Sequence, residues 1–536
     1  MKRREFLSLG AAGMGVLAMN PALSFAPSFS KPARSRPNVL LIMADDMGYS
    51  DIGCYGGEIR TPNIDRLAAG GLRFSQFYNA ARCCPTRASL LTGLYPHQAG
   101  MGDMVKADDT ESGPYQGYLN DRCVTIAEVL RGAGYATLMS GKWHVGERRP
   151  HWPTDRGFQN YFGLISGAAN YFDITRDRTG RAKRQMAFND QPYSPPKERF
   201  YMTDAVTDRA IEFLGSNGSV EKPFFLYVAY TAPHWPLHAL PEDIEKYRGK
   251  YRNGWDALRK ERYERQLAAG LIDRRWAISP RDKEITAWSE VPNKEAMDMK
   301  MAVYAAQIDR MDQGIGRILA KVESLGKSEN TLVFFLSDNG GCHEGGPWGF
   351  DDRNNGLPPG SADSYMSYGR SWANASNTPF RLFKHWVHEG GIATPLVVHW
   401  PGVVKHPGSI THQVGHIVDI MATVCEAAGV TYPKTFQGRS ILPAEGKSLV
   451  PVIQGGQRKT HSALFWEHEG NRAVRQGKWK LVSVVQGEWE LFDLETDRTE
   501  LNNLVKQYPE KVRELEKLYR NWAARWGVQE GKPVKE

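Results

Sequence analysis

Four continuous apolar segments occupy the first two thirds of the chain, and each ends abruptly in polar or ionisable residues. A continuous apolar segment of this length is typical of a strand that is buried on both faces, as in a parallel sheet covered by helices. Parallel strands present their carboxyl ends at one edge of the sheet, where the site of an open α/β protein lies. The segments begin at Asn38, Gly134, Pro223 and Thr331, and they lead to Asp45-Asp46, Lys142-Trp143-His144, His234 and Asp338-Asn339, respectively.

Between these strands the pattern changes to helical spacing, which predicts helices over residues 62–70, 121–132, 301–325 and 415–429. Residues 146–200 and 242–296 are rich in charge, aromatic residues, glycine and proline, and we predict no sheet strands in them. We interpret both stretches as insertions at the carboxyl edge of the sheet, where loops carry specificity. The fold class predicted is α/β, with a large mixed, mostly parallel sheet covered by helices on both faces.

From about Ser462 the sequence changes to short segments that alternate apolar and polar residues, with turns between them. This alternation predicts a smaller C-terminal antiparallel sheet, and the amphipathic pattern of Pro509–Trp526 predicts a helix after it. We therefore predict three parts: an export signal over residues 1–30, a catalytic domain over 37–455 and a C-terminal α+β subdomain over 456–536.

Residues 82–93, which read RCCPTRASLLTG, place reactive side chains immediately before a short apolar segment. Pro85 suits a first helical position, and Gly93 suits a helix end. Cys83 would then lie where free backbone N–H groups and the helix dipole favour negative charge. This predicts a nucleophile, an anionic substrate site, or both. The alternative is that Cys83 and Cys84 are packing residues or a strained vicinal disulfide.

The residues at two strand ends, Asp45, Asp46, Asp338 and Asn339, are hard oxygen ligands. Oxygen ligands without a histidine or cysteine cluster favour Ca²⁺ or Mg²⁺ over zinc. Alternatively, either aspartate could cap a turn, and Asp338-Asn339-Gly340 alone is an ordinary turn sequence. Two such pairs at two strand ends favour a metal site.

The spacing of Cys83, Pro85, Thr86 and Arg87, with Leu90 and Thr92-Gly93 after them, resembles the signature of the type I sulfatases. These are the formylglycine-dependent, arylsulfatase-like members of the alkaline-phosphatase-like superfamily. The resemblance implies that Cys83 is oxidised to Cα-formylglycine (3-oxoalanine) by a maturation enzyme. It also implies one Ca²⁺ per chain rather than Mg²⁺, with the modified Cys83 as a further ligand beside Asp45, Asp46, Asp338 and Asn339.

Three further segments match motifs of the same family: Gly141-Lys142-Trp143-His144, Pro233-His234, and the segment from Thr378 to Lys384. The chain departs from the family pattern at His385-Trp386 and at Ala393, which leaves open the shape of the leaving-group pocket. Proximity in sequence to Lys384 nominates Arg370, Trp372, Arg381, His385 and His388 as substrate contacts. The catalytic residues that the resemblance implies are Cys83, Arg87, Lys142, His144, His234 and Lys384.

The function expected is hydrolysis of sulfate esters through a covalent enzyme intermediate, with proton transfers divided among His144, His234 and Lys384. A sulfated carbohydrate is the expected substrate, and aryl sulfates are generic substrates. Two alternatives stay open from sequence: a phospho- or phosphonate-ester hydrolase of the same superfamily, and a non-catalytic binder of sulfated glycans.

Composition narrows these possibilities only modestly. The chain has 536 residues, of which 41% are hydrophobic and 24% are charged, as in ordinary globular proteins. The formal charge of +8 agrees with a polyanionic substrate, but no Lys/Arg block is dense enough to indicate nucleic-acid binding. Six scattered cysteines indicate neither a disulfide scaffold nor a zinc finger.

The N-terminus carries Arg3-Arg4 before Phe6-Leu7 and an apolar, glycine-rich stretch. This pattern predicts a twin-arginine export signal, and therefore a periplasmic or extracellular protein that interacts with the export machinery. The stretch is short and interrupted by glycines, so we expect no stable membrane insertion, although an uncleaved anchor is the alternative.

Overall fold

The computed structural model describes residues 36–106, 110, 112–176, 184–196, 198–216 and 220–529. The predicted export signal over residues 1–30 lies outside them and stays a prediction. The centre is an eleven-stranded sheet. Its strands are β1 (Asn38–Ala44), β2 (Leu72–Tyr78), β3 (Ala136–Gly141), β4 (Asn160–Leu164), β5 (Met186–Phe188), β6 (Gln191–Tyr193), β7 (Phe224–Ala229), β8 (Thr331–Ser337), β9 (Ala393–His399), β10 (Ser409–Thr411) and β11 (Gly415–His416).

The strand order is β10-β2-β9-β8-β1-β7-β3-β4-β5-β6, and β11 also pairs with β2. The four strands predicted from sequence are neighbours: β8, β1, β7 and β3 pair in parallel. The strand β9 runs antiparallel to both β8 and β2. This arrangement confirms the predicted mixed, mostly parallel sheet.

Helices cover both faces of this sheet. Alternate residues of β1 accordingly pack in two different hydrophobic clusters, one on each face. Leu40 and Ile42 pack in one cluster, and Val39 and Leu41 pack in the other. The helices are α1 (Pro62–Ala69), α2 (Cys83–Thr92), α3 (Pro96–Ala99), α4 (Ile126–Gly132), α5 (Met202–Leu214), α6 (Pro241–Glu245), α7 (Gly254–Ala268), α8 (Lys294–Ser324), α9 (Gly369–Ser376), α10 (Glu389–Ile392), α11 (Asp419–Ala428), α12 (Val450–Ile453) and α13 (Pro509–Trp526).

The boundaries of the predicted helices differ from the observed ones where a cap or a strand intervenes. The helix α8 begins earlier than predicted because the Asn293 side chain caps it, accepting from the Ala296 N–H at 2.9 Å. The helix α4 begins at Ile126, where Thr125 and Glu128 form a capping box. The predicted helix over residues 415–429 is shorter, because β11 occupies its first two residues.

The prediction that residues 146–200 contain no sheet strands is wrong. Strand β4 pairs in parallel with β3, and β5 and β6 follow it as an antiparallel extension of the sheet. These strands are only three to five residues long, which is too short to show a clear pattern in the sequence. The described residues of 242–296 contain helices and turns and no sheet strand, as predicted.

The C-terminal region contains a four-stranded antiparallel sheet in the order β14 (Leu464–His468), β15 (Asn471–Gln476), β16 (Trp479–Ser483) and β17 (Glu490–Asp493). Leu515, Tyr519 and Trp522 of α13 pack in one hydrophobic cluster with Val474 and Leu481 of this sheet. This confirms the smaller sheet-plus-helix part of the fold. A hairpin of β12 (Thr435–Phe436) and β13 (Arg439–Ser440) precedes it. The domain boundary at residue 455 stays a prediction.

None of the helices in the described part of the chain combines the length and the apolar character that spanning a membrane requires.

Candidate active site

Backbone hydrogen bonds hold the ends of the four central strands together. The N–H of Asp45 donates to Ala232 O at 3.0 Å, and the N–H of Asp338 donates to Ala44 O at 3.2 Å. The N–H of Lys142 donates to Ala229 O at 2.7 Å. Side chains that are far apart in sequence therefore converge at the carboxyl edge of the sheet, as the strand-end pattern predicted.

Helix α2 brings Cys83 to the same edge. Its N-cap, Arg82, has an extended backbone, and its C-cap, Gly93, has φ 71°. The helix begins at Cys83, so Pro85 occupies the third helical position instead of the first. Proline is tolerated throughout the first turn, because N–H groups there have no acceptor within the helix. Cys83 and Cys84 are free thiols, so the structure contains no vicinal disulfide between them.

A group of buried charged and polar side chains, which we call the catalytic cluster, lies beneath Cys83. Its members are Asp45, Asp46, Asp338, Asn339, Arg87, Lys142 and Lys384, all nearly inaccessible to solvent. Arg87 Nη2 lies 2.7 Å from Asp338 Oδ2 and 3.7 Å from Asp45 Oδ1, so both carboxylates converge on one guanidinium. Lys142 Nζ donates to Asp45 Oδ2 at 2.7 Å.

Asp46 joins this cluster through a turn in the left-handed region. Its φ of 65° is uncommon for a residue with a side chain, and it allows two consecutive carboxylates to face one site. Asp46 Oδ1 accepts from Asn339 Nδ2 at 2.7 Å, and Oδ2 accepts from Lys384 Nζ at 2.8 Å. The Asp46 N–H donates to Asp338 Oδ1 at 3.1 Å.

The carboxyl groups of the catalytic cluster differ in their pKa values. Burial, together with the nearby charge of Asp45, raises the pKa of Asp338 to about 8. Burial also raises the pKa of Asp45. Burial would raise the pKa of Asp46 as well, but His234 and Lys384 lower it below its ordinary value. Without a further cation the cluster therefore retains a proton at neutral pH.

The catalytic cluster also contains acceptors that the protein itself does not satisfy. Asp45 Oδ1 and Asn339 Oδ1 are buried and have no hydrogen-bond partner. Buried acceptors without partners are rare in native structures and call for an ion or water. All of these ligands are carboxylate or amide oxygens, which bind Ca²⁺ or Mg²⁺. The residues therefore fit a hard divalent cation, which would supply the missing partner and displace the retained proton.

His144 lies beside Cys83. Cys83, Cys84 and His144 have ligand atoms within 4.8 Å of one another. A hydrogen bond from Cys84, and then the nearby Lys142 and His144, hold the pKa of the Cys83 thiol well below its ordinary value despite burial. Burial lowers the pKa of His144 to about 4, so its imidazole is neutral at pH 7 and can accept a proton.

On the opposite side of Asp46, His234 faces Lys384. His234 Nδ1 lies 2.6 Å from the carbonyl oxygen of Trp235, which can only accept, so Nδ1 carries the ring proton. Burial lowers the pKa of His234 to about 4, which leaves Nε2 unprotonated at pH 7. Lys384 Nζ lies 3.5 Å from that nitrogen. Although burial opposes it, Asp46 holds the pKa of Lys384 well above its ordinary value, so Lys384 keeps its protons.

The reactive side chains share one cavity of about 1150 Å³, which Cys83, His144, His234 and Lys384 all line. Asp45, Asp338, Arg87 and Lys142 are not among the lining residues and lie beneath it. Further lining residues include Arg82, Trp235, Glu344, Arg370, His385 and Trp386.

Of the five substrate contacts nominated from sequence, the structure brings Arg370 and His385 to the cavity. The other three nominated residues do not line the cavity. Trp372 is fully buried and packs on Trp255, with ring centroids 5.3 Å apart. Arg381 donates to Glu490 Oε2 at 2.6 Å, and His388, also buried, meets the same oxygen at 3.1 Å. Proximity in sequence to Lys384 does not specify the direction of these side chains.

Glu344 is a site residue that the sequence reasoning missed. Its Oε1 lies 3.2 Å from Arg82 Nη1 and 3.8 Å from Lys384 Nζ, and its Oε2 accepts from Trp235 Nε1 at 2.6 Å. Burial would raise the pKa of Glu344, but Lys384 and Arg82 hold it well below the ordinary value. The available signal was its position in the glycine-rich loop that follows Asp338-Asn339.

Comparisons with known proteins agree with this geometry. A family model described as Sulfatase matches residues 37–430, and one described as N-sulphoglucosamine sulphohydrolase, C-terminal, matches residues 380–522. The chain is 37% identical to an uncharacterized sulfatase of Schizosaccharomyces pombe, over 94% of this chain and 96% of that protein. It is 35% identical to an arylsulfatase of Klebsiella aerogenes, over 80% of this chain and 95% of that protein.

Among solved structures, the chain is similar to Ps i-CgsB, crystallised in complex with k-i-k-neocarrahexaose. The TM-score is 0.68 at 26% identity, and the match covers 94% of this chain and 95% of the other.

Proposed function

The chain belongs to the sulfatase family and is a sulfuric ester hydrolase, and from this premise we propose that it cleaves sulfate esters with an oxidised Cys83 as the nucleophile. One observation carries the proposal: Cys83, His144, His234 and Lys384 line a single cavity directly above a carboxylate cluster that fits a divalent cation. The substrate is a sulfated molecule.

The nucleophile is the hydrate of a Cα-formylglycine formed from Cys83. One hydroxyl oxygen of this geminal diol attacks sulfur, and the bond between sulfur and the alcohol oxygen breaks, so the alcohol leaves and the sulfate stays on the enzyme. The depressed pKa of the Cys83 thiol reports an environment that stabilises negative charge on this side chain. The same environment assists deprotonation of the attacking hydroxyl.

We propose Ca²⁺ as the cation, held by Asp45, Asp46, Asp338, Asn339 and the modified Cys83. When bound, the ion supplies positive charge that offsets the three carboxylates and the charge of the sulfate. Arg87 orients Asp338 and Asp45, and Lys142 holds the second oxygen of Asp45.

His144 serves as the base that completes the cycle. It takes the proton from the second hydroxyl of the diol, the carbon–oxygen bond to the sulfate breaks, and sulfate leaves as the aldehyde re-forms. Water then hydrates the aldehyde, so one water is consumed for each ester. A neutral imidazole next to Cys83 suits this role, and burial keeps His144 neutral.

Lys384 is the proton donor to the leaving alcohol. The carbonyl of Trp235 fixes the proton of His234 on Nδ1, so His234 Nε2 has no proton to give in this structure. Lys384 is charged, lies 3.5 Å from that nitrogen and lines the cavity. His234 Nε2 faces the ammonium group at 3.5 Å and helps to position it.

The donor role of Lys384 can be tested with leaving groups of different basicity. An alkyl or sugar alkoxide must be protonated as it leaves, whereas an activated phenolate leaves without help. Lys384→Ala is expected to lower kcat by about 10²–10⁴-fold for a sugar sulfate and much less for a nitrophenyl sulfate. An equal loss on both substrates would assign Lys384 to sulfate binding alone.

The alcohol portion of the substrate is proposed to be a carbohydrate. A cavity of about 1150 Å³ accommodates more than a sulfate group, and Trp235, Phe350 and Trp386 offer aromatic surface in its wall. Similarity to a protein crystallised with a neocarrahexaose supports this substrate class. Release of sulfate from defined sulfated oligosaccharides, measured by ion chromatography, tests it.

The experiment that tests the function directly compares matched sulfate and phosphate esters of one alcohol. Greater kcat/KM for the sulfate ester is the expected result. Faster cleavage of the phosphate or phosphonate ester would replace the proposal with the alternative activity of the superfamily, and binding of sulfated glycan without turnover would indicate a binder.

We further propose that the chain is exported, periplasmic or extracellular, and that a formylglycine-generating enzyme matures it. The twin-arginine pattern at Arg3-Arg4 supports export through the corresponding machinery. Replacement of both arginines by lysine is expected to retain the protein inside the cell, as fractionation would show.

A further inference from the structure

Three side chains with metal-binding donor atoms meet at the wall of the cavity, outside the catalytic cluster. The ligand atoms of His385, His468 and Glu469 lie within 4.8 Å of one another. His385 and Glu469 line the cavity, whereas His468 is fully buried. None of the three takes part in the proposed proton transfers.

His468 is the residue that requires an explanation. Its side chain is inaccessible to solvent, and neither Nδ1 nor Nε2 has a hydrogen-bond partner. Glu469 Oε1 lies 3.7 Å from its Nε2. A buried polar group without a partner costs about 1–3 kcal/mol, so such a group in a native structure indicates a missing ligand, ion or water.

The other two residues have an unusual backbone conformation. His385 has φ 90° and Glu469 has φ 49°, both in the left-handed region that residues with side chains rarely adopt. Glu469 Oε2 is in close contact with His385 Nδ1, so the two oxygens of one carboxylate face two imidazoles. The nearby Arg82 is paired with Glu344 at 3.2 Å.

We propose that His385, His468 and Glu469 form a second divalent-cation site, of the mixed nitrogen and oxygen type that binds Zn²⁺, in the wall of the catalytic cavity. The donor set is softer than the all-oxygen set of the catalytic cluster, so the two sites select different ions. Imidazole binds a metal ion in its neutral form, so two imidazoles and one carboxylate give the ligand set a net negative charge, which favours a dication.

Three protein ligands leave a fourth tetrahedral position open, as in zinc sites that bind water or substrate. His385 and Glu469 are part of the cavity wall and His468 lies behind them, so the open position faces the cavity. An oxygen of the substrate, or water, occupies it. Asn471 Nδ2 donates to His385 Nε2 at 3.1 Å, and this contact holds the ring in place. This site does not depend on the proposed reaction.

The test uses Zn²⁺ titration of the full-length protein by calorimetry, after chelation and in excess Ca²⁺. All variants carry Cys83→Ala, because a second group of possible zinc ligands lies in the same cavity region. It consists of the thiols of Cys83 and Cys84 and the imidazole of His144, whose ligand atoms lie within 4.8 Å of one another. One Zn²⁺ per chain is expected, and His385→Gln or Glu469→Gln should weaken its binding by at least about tenfold. Both residues lie on the cavity wall, so the fold should tolerate these changes.

His343→Gln is the matched control, because His343 lines the same cavity but lies outside the proposed site, with its ring centroid 6.4 Å from that of His385. Its zinc affinity should equal that of the background protein. Anomalous diffraction at the zinc edge should give a peak between His385, His468 and Glu469. The proposal is overturned by an absence of zinc binding, by binding that survives His385→Gln and Glu469→Gln together, or by a peak elsewhere.

Discussion

Two buried charge networks in this protein have similar composition and opposite character. The catalytic cluster contains acceptors without partners, and the pKa of its Asp338 is raised to about 8 by burial and by Asp45. The second network joins the central sheet to the C-terminal sheet. In it, Glu389 contacts Lys480 at 3.0 Å and Arg498 at 2.8 Å, and Lys480 contacts Glu500 at 2.8 Å.

In this second network, which we call the interface network, Glu389 is as buried as Asp338, but Lys480 and Arg498 lower its pKa to about 2 although burial opposes them. Burial alone therefore does not identify a binding site. In the interface network the carboxylate of Glu389 is charged and paired with two cations, which is typical of a structural element, although Arg498 Nη2 and Glu500 Oε1 have no hydrogen-bond partner. The catalytic cluster is incomplete and holds a proton that a cation can replace, which is typical of a site that binds a ligand.

The largest expected effect is the loss of activity when Cys83, which lies above the catalytic cluster, is replaced. Cys83→Ala removes the nucleophile and should lower kcat by at least about 10⁴-fold, or about 5.5 kcal/mol of activation free energy, without lowering the melting temperature. Steady-state hydrolysis of an aryl sulfate measures the loss. Cys84→Ser is the control, because Cys84 takes part in none of the proposed proton or sulfate transfers. An equal loss of activity in that variant would show that the modification has been assigned to the wrong residue.

A substitution in the interface network should lower the free energy of unfolding. Glu389→Gln leaves Lys480 and Arg498 as buried charges without their shared partner, and should lower the free energy of unfolding by about 3–5 kcal/mol. Denaturant unfolding measures it. Asp121→Asn, which breaks the exposed pair with Arg439, is the control and should cost no more than about 1 kcal/mol. If Glu389→Gln also lowered the free energy of unfolding by no more than about 1 kcal/mol, the interface network would not be a structural element.

The corresponding change in the catalytic cluster is Asp338→Asn. Since the raised pKa leaves Asp338 protonated at pH 7 without a cation, a neutral amide keeps the charge of the metal-free site. Its Nδ2 replaces one of the two oxygens that accept from Asp46 and Arg87, so the free energy of unfolding should fall by no more than about 1–3 kcal/mol. The affinity for Ca²⁺ should fall by at least about tenfold, because a ligand is lost. Calorimetric titration and thermal melts measure both. A large loss of metal-free stability would instead assign Asp338 to the scaffold.

The smallest effect is a pH dependence of cation binding. Below pH 8 the cation must displace the proton on Asp338, so Ca²⁺ affinity should rise by up to about tenfold per pH unit and level off above about pH 8. The folded-state pKa lies above the ordinary aspartate value, so this group destabilises the metal-free protein as pH rises through the same range. Affinity that is constant from about pH 6 to about pH 8 would contradict the retained proton.

The sequence predicted the parts of the fold that have a strong local pattern. The buried strands β1, β3, β7 and β8 are continuous apolar segments, and the C-terminal hairpins alternate regularly. The helix Pro509–Trp526 has the predicted bounds. The short strands β4 to β6 were missed because their pairing with the sheet edge, more than their own pattern, determines their conformation.

The candidate site was predictable to the extent that it follows strand ends. Asp45, Lys142, His234 and Asp338 converge because parallel strands end at one edge. Side chains on loops after those ends could not be placed, since their direction depends on tertiary contacts: Trp372 faces the core, and Glu344 faces the cavity. The unpaired acceptors and the displaced pKa of Asp338 exist only in the assembled structure.

The most direct measurement is mass spectrometry of the peptide that contains Cys83 and Cys84, from active protein purified from its own source. The expected result is the mass of an aldehyde or its hydrate at Cys83 and an unmodified thiol at Cys84. An intact thiol at Cys83 in protein that turns over sulfate esters at full rate would contradict it.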